Sequence, residues 1–396
     1  MIPYENLLNE AQHLFSYTRQ LRRDIHQHPE LGFQEFRTAE VVAKELRDCG
    51  MMVTTGVATT GVVGLLEGTR SSPVILLRFD MDALPIQEEN NCEYVSKNAG
   101  VMHACGHDGH VAVGLTVARI LAQHRSEFPG QVKFIFQPAE EGIGGAEKMI
   151  AEGVLENPSP DFALAFHVWN HAPLGWLGLA PGAVMAAVDD FSITLTGKGG
   201  HGAMPEQAID PIIAAAHVIA ALQTVVARNV SPLLPAVISV TQMQAGSAFN
   251  VIPQSAELRG TIRTFEPDVR QTVLRRFEEV VRGVAGAMGC GCEIQVRSLA
   301  PALVNAPAVT EKVTGIARQL FTDGKIDSSF RTMGAEDMSF FLERVPGCFV
   351  FVGSASEEKG LHHPHHHPRF DFDEQALVVG TAVLTASALE LLKEGG

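Results

Sequence analysis

The chain is poor in several things that would have pointed elsewhere. Its 396 residues hold six cysteines, Cys49, Cys92, Cys105, Cys290, Cys292 and Cys348. They are sparse and irregularly spaced, so a disulfide framework is not expected. Basic residues are also short, 30 against 45 acidic ones, for a formal charge of -15. A surface of that sign repels nucleic acid and anionic membranes, and neither is expected as a partner. No apolar run approaches membrane-spanning length, and the segment from Met1 to Leu21 lacks the apolar stretch of a secretory leader. The cytoplasm is the expected compartment. What remains is an ordinary globular balance, 46% hydrophobic and 19% charged, in a chain long enough for two domains.

Periodicity gives the outline. Leu7, Ala11, Leu14, Leu21 and Ile25 form one helical stripe, ended by Pro29-Glu30-Leu31-Gly32, and a second helix runs from Phe36 to Leu46. Val74 to Leu77, Val132 to Phe136 and Phe162 to Phe166 read as buried strands, with a helix from Val111 to Leu121 between them. Buried strands alternating with helices predict an α/β fold with a mostly parallel, helix-covered sheet. Near position 185 the pattern changes. Phe191, Ile193 and Leu195 alternate with polar neighbours. Asp210-Pro211 then opens a helix, strands follow at 236–240 and 257–264, a helix at 267–288 and a strand at 292–296. That β-α-β-β-α-β order predicts a ferredoxin-like α+β insert at 185–297. Residues 1–184 and 298–396 are expected to form the larger, metal-binding domain.

The densest chemistry lies in His103-Ala104-Cys105-Gly106-His107-Asp108-Gly109-His110. Thiolate and imidazole are preferred ligands for zinc-like ions, and Cys105 and His107 can share one ion or flank two. The rival is a Cys105 nucleophile with His107 as base. Glu140-Glu141 follows a buried strand, where one carboxylate can hold metal while its neighbour moves a proton. His167 is placed at the end of the next buried strand. Asp80 and Asp82, after the strand at 74–77, can orient a ligand imidazole from behind. Among His362, His363, His365, His366 and His367 the site needs one, and His362, His363 and His365 read as bystanders. In the insert, the glycine-rich loop around His201 suits an oxyanion donor. Asn250 and Arg263 are candidate anchors for a substrate carboxylate. Cys290 and Cys292 read as packed thiols, and Met333 to Asp337 as a helix cap or a support to the ligands.

Several segments occur together and in order: Arg23 to Leu31, Asp80-Met81-Asp82-Ala83-Leu84-Pro85, Cys105-Gly106-His107-Asp108, Pro138-Ala139-Glu140-Glu141 and Gly199-Gly200-His201. With them the chain resembles the bacterial N-acyl-amino-acid amidohydrolase and hippurate hydrolase branch of the aminoacylase/carboxypeptidase-G superfamily. The resemblance implies hydrolysis of the amide bond of a small N-acyl amino acid by two divalent metal ions per subunit, with Zn or Mn expected and Co or Ni also suited. It implies that Cys105 bridges the ions and that His107 and His167 complete one shell. Glu141 and a late histidine would complete the other, with Glu140 as general base. The family's His-x-Pro-x-Phe spacing assigns the late histidine to His366, before Pro368 and Phe370. It also implies a homodimer or higher homo-oligomer formed through the insert, with His201 reaching the partner's site. A dipeptidase or aminoacyl-glutamate carboxypeptidase on the same scaffold is the nearest rival, and a non-catalytic metal-binding protein the more distant one.

Overall fold

The computed structural model describes residues 2–142 and 144–395. The chain divides into two compact units. The larger holds the residues up to Gly182, then Val304–Phe330 and Asp337 onward. The smaller holds Ala183–Leu303 and Arg331–Glu336. These junctions differ from those the sequence suggested. The last strand of the smaller unit continues to Ala300, which moves the second junction later. The stretch 331–336, expected in the larger unit, returns to the smaller one. There Thr332 N–H donates to Val184 O at 2.9 Å and Ala186 N–H to Gly334 O at 2.9 Å.

Among the described residues the larger unit carries an eight-stranded sheet. Its spatial order is Met52–Val57, Gly61–Glu67, Gln131–Gln137, Val74–Asp80, Phe162–Pro173, Gly347–Ala355, Trp176–Gly178, Lys325–Asp327. The four central strands are mutually parallel. The hairpin of the first two was not expected from sequence. Its apolar alternation is interrupted by Thr54-Thr55-Gly56, and it adds an antiparallel edge. Val74–Asp80 is buried at every position, as a strand covered on both faces must be. Phe162–Pro173 runs seven residues past the expected end, because its pairing with Gly347–Ala355 continues to Pro173. His167 therefore lies inside a strand rather than closing one. The first expected helix is two, Tyr4–His13 and Phe15–Gln27, separated at Leu14.

The helix His107–Gln123 starts at the carboxyl end of the sheet and packs on Val74–Asp80. Two glycines allow this. Gly106 has φ +96°, and a Cβ there would meet Val168 Cγ2 at 2.4 Å. At Gly114 a Cβ would lie 2.6 Å from Phe79 Cδ2 and 2.9 Å from Phe136 Cε1, so the helix rests directly on the two rings.

The smaller unit has a four-stranded antiparallel sheet, in the order Ala236–Ala245, Ser255–Thr264, Ala187–Thr196, Gly291–Ala300. Helices Pro211–Asn229 and Pro267–Ala287 connect its strands in the β-α-β-β-α-β order. Asp210 accepts from Ile212 N–H at 2.8 Å, and Pro211 opens the helix. This helix corrects one expectation, being long and apolar enough by length and composition to cross a membrane. Ala214, Ala215, Val218, Leu222 and Val225 instead form its buried stripe in a core with Phe191, Ile193 and Phe277. Alanine-rich faces that pack on a sheet raise hydropathy without implying lipid.

Gly114→Ala should destabilise the protein by about 1–3 kcal/mol through overpacking against Phe79 and Phe136. Equilibrium urea unfolding checks this, and an unchanged midpoint would show that the helix can move off the rings.

Candidate metal centre

The register of the parallel strands assembles the site. Asp80 is level with Gln137, and Arg78 with Ala165, so two residues further on Asp80 and His167 lie at one height. Ligands gather at such carboxyl ends of parallel strands. Cys105 precedes the helix His107–Gln123, and the Glu140-Glu141 pair follows strand Gln131–Gln137.

Two donor sets result. The ligand atoms of Cys105, His107 and His167 lie within 4.8 Å of one another, and so do those of Cys105, Glu141 and His366. Cys105 belongs to both. Its Sγ is 3.4 Å from His167 Nε2, and His366 Nε2 is 3.2 Å from Glu141 Oε1. Glu140 joins His107 and Glu141 in a third group of the same tightness.

The imidazoles are held in the tautomer a metal needs. His107 Nδ1 donates to Asp82 O at 2.9 Å and lies 3.2 Å from Asp82 Oδ1. His167 Nδ1 donates to Val168 O at 2.6 Å. A carbonyl oxygen only accepts, so each Nδ1 carries a hydrogen and each Nε2 is the atom available to a metal. His107 Nε2 is buried without a hydrogen-bond partner. Such an orphan costs about 1–3 kcal/mol, a cost that a cation beside it removes. The donor set fits two divalent ions.

Electrostatics agree. Burial favours neutral His107, but Asp80, Asp82 and Glu141 raise its pKa to about 10, so a proton is retained where an ion is lacking. Burial, with His110 and His365 beside it, holds His167 well below the usual histidine range. Burial and the carboxylates of Glu141, Glu140 and Asp80 push the Cys105 thiol far up. A nucleophilic cysteine needs the opposite shift. A cation against Sγ would offset that shift and favour the thiolate.

Three residues carry more than the sequence suggested. His365, read as a bystander, places Nδ1 4.0 Å from Cys105 Sγ and accepts from Asn170 N–H through Nε2 at 3.1 Å. Its ring lies 5.1 Å from that of His167. His110, one helical turn after His107, binds Asp80 Oδ1 at 2.6 Å through Nδ1. Asp337 accepts from Arg78 Nη2 at 2.7 Å, and Arg78 Nη1 donates to Asp80 Oδ2 at 2.7 Å. The i to i+3 spacing of His107 and His110 was the signal available for the second of these. His362, His363 and His367 stack among themselves instead, with centroids 5.2 and 4.4 Å apart.

Backbone strain sits beside the ligands. Ala139 has φ 54° and His366 φ 66°, the left-handed region that costs a non-glycine residue roughly 1–2 kcal/mol. Ala139 N–H is held by Glu35 Oε1 at 2.9 Å and His366 N–H by Ala104 O at 2.8 Å.

In the smaller unit, His201 and Asn250 line one concavity of about 900 Å³ with Gly199, Gly200 and Gln254. The two-residue ladder of Gly200–His201 with Val251–Ile252 brings them together. Arg263 is not in that lining. It lies half-buried on strand Ser255–Thr264, with Nε donating to Thr261 Oγ1 at 3.3 Å. Cys290 is buried in the core of this unit, and all six cysteines are free thiols.

The sequence profile of Peptidase family M20/M25/M40 matches residues 76–390. The chain is 40% identical to N-acetylcysteine deacetylase of Bacillus subtilis, over 94% of this chain and 97% of that one. It is 38% identical to thermostable carboxypeptidase 1 of Saccharolobus solfataricus, over 95% of each. Among solved structures it is similar to Bacillus subtilis YXEP, described as a dinuclear metal-binding peptidase. The TM-score is 0.85 at 35% identity, covering 96% of this chain and 99% of that one.

Asp82 Oδ2 also accepts from Glu141 N–H at 3.0 Å, so one carboxylate supports members of both donor sets. Asp82→Ala should weaken zinc binding about 10–100-fold, measured by competition with a chromophoric chelator. Unchanged affinity would reduce Asp82 to a bystander.

Proposed function

The chain belongs to Peptidase family M20/M25/M40, and from that premise we propose that it hydrolyses the amide bond of N-acyl amino acids, releasing a carboxylic acid and a free amino acid. The observation that carries this reading is the pair of donor sets sharing Cys105, with Glu140 beside them. Cys105, His107 and His167 would hold one divalent ion, and Cys105, Glu141 and His366 the other. When bound, such ions polarise an amide carbonyl and make water acidic enough to ionise near neutral pH. Zn and Mn suit this mixed sulfur, nitrogen and oxygen set, as do Co and Ni.

The remaining work falls to side chains. Glu140 takes the proton of the attacking water and returns it to the leaving nitrogen, while Glu141 stays a ligand. In the homodimer assigned below, His201 would supply a hydrogen bond to the developing oxyanion at the partner's centre. Its Nδ1 accepts from Ala203 N–H at 3.0 Å, which leaves Nε2–H as a donor. Asn250, in the same concavity, anchors the α-carboxylate.

Glu140→Gln should retain both metals and lose about 10²–10⁴ in kcat, the range for a positioned general base. The assay is a panel of N-acetyl, N-benzoyl and indole-acyl amino acids beside dipeptides and aminoacyl-glutamates. Each is run with protein stripped by chelator and reloaded with each metal. Preference for peptides would favour the carboxypeptidase reading that the Saccharolobus relative supports. Normal turnover by the variant would remove Glu140 as base, and activity that survives chelation would remove the metal reading.

We also assign a homodimer. The edge strand Ala236–Ala245 of the smaller unit is exposed from Thr241 to Ala245, including Met243, and an unpaired edge of that kind is a surface for a second copy. Sedimentation equilibrium should return twice the 42.6 kDa chain mass, and a persistent monomer at micromolar concentration would overturn the assignment.

A further inference from the structure

Helix Phe15–Gln27 takes no part in the chemistry above, yet it carries two fully buried polar side chains. Arg22 and His26, both on helix Phe15–Gln27, are 0% exposed. Arg22 Nε donates to Asp108 Oδ2 at 2.7 Å, Nη2 to Asp371 Oδ1 at 2.7 Å and Nη1 to Glu374 Oε1 at 3.3 Å. Its guanidinium carbon stands 4.4 Å from the centroid of Phe372 and 4.8 Å from that of Tyr94. Behind it, His26 Nδ1 meets the same Asp108 Oδ2 at 2.8 Å and Nε2 meets Glu88 Oε1 at 3.2 Å.

The two short contacts of Arg22 fall on the two segments that carry the donors. Asp108 directly follows His107 and lies three residues after Cys105. Asp371 lies five residues after His366. These segments are far apart in sequence, and one planar group bonds both. Tyr94 O–H donates to Asp371 Oδ2 at 2.7 Å, and His366 N–H to Ala104 O at 2.8 Å, so the junction is closed on both sides.

We propose that Arg22 is a positioning residue that fixes the spacing between the Cys105–His107 segment and the His366 segment before any metal arrives. The proposal rests on the metal reading of this centre. The fork matters as much as the charge. An ammonium is a point donor on a flexible stem, whereas guanidinium offers donors in fixed in-plane directions and can satisfy two carboxylates at a set separation. A buried cation facing three carboxylates is a costly way to gain stability alone. A fixed distance between two ligand-bearing loops is what this arrangement provides.

The test compares wild type with Arg22→Lys, which keeps the charge and loses the fork. With folding verified by far-UV circular dichroism, zinc affinity measured by chelator competition should fall about 10–100-fold, the usual effect of removing a group that orients ligands. The thiolate-to-cobalt absorption of the cobalt-loaded variant should shift in step. A purely structural role predicts a lower unfolding midpoint with zinc affinity and the cobalt spectrum unchanged, and that result overturns the proposal. Should Arg22→Lys not fold, hydrogen exchange on chelator-treated wild type decides. The His366 and His110 amides should stay protected without metal, and exchange at the unprotected rate would mean that the ion, not Arg22, assembles the centre. Failure of wild type to bind zinc at all would instead remove the metal reading beneath the proposal.

Discussion

The metal centre depends on one carboxylate placed behind its ligands. Asp82 is almost fully buried, two residues beyond strand Val74–Asp80. One of its oxygens lies against His107 Nδ1 and the other accepts from Glu141 N–H. Both partners belong to segments that the sequence separates widely, and both must be held to tenths of an ångström for donors to converge on an ion. Such a carboxylate is useful only if its own backbone cannot drift. The position is supplied by a strand hydrogen-bonded on both sides and buried throughout, in the interior of a parallel sheet. The close seat of the helix His107–Gln123 on Phe79, which Gly114 permits, serves the same end.

Much of this was legible in the sequence, and the limits were physical. Cys105 and His107 stood out because several donor residues crowd the few positions around the start of a helix, and Glu140 and Glu141 because they follow an apolar strand. His167 was singled out but placed at a strand end, because the longer pairing with Gly347–Ala355 is a contact between distant segments. His365 was dismissed for a different reason. Five rings in six positions carry no periodicity, and the left-handed turn at His366 decides which of them face Cys105. The hairpin Met52–Val57 with Gly61–Glu67 escaped because its outer strand is largely exposed and polar, so its burial pattern resembles a loop.

The smaller unit was easier to read. Alternating burial along Ala187–Thr196 and a well-capped helix at Asp210 are local signals, and together they give the sandwich. Its functional residues were less local. His201 and Asn250 come to one concavity through a ladder of only two residue pairs. Arg263, chosen for its chemistry, faces Val188 and Val237 in register within the sheet. The return of residues 331–336 to this unit has no sequence signature, since it consists of backbone hydrogen bonds to Val184 and Ala186.

The donors are also spread along the chain in a way that bears on biosynthesis. Cys105 and His107 are made first, Glu141 and His167 follow, and His366 comes far downstream of them. Asp371, the far anchor of Arg22, comes later still. The second donor set can therefore close only once translation has passed His366, far downstream of Cys105 and Glu141. Until then the nascent chain can present the first donor set whole, but only Cys105 and Glu141 of the second. Termination between Ala355 and His366 leaves a protein that has all the strands of its parallel sheet and still cannot complete its centre.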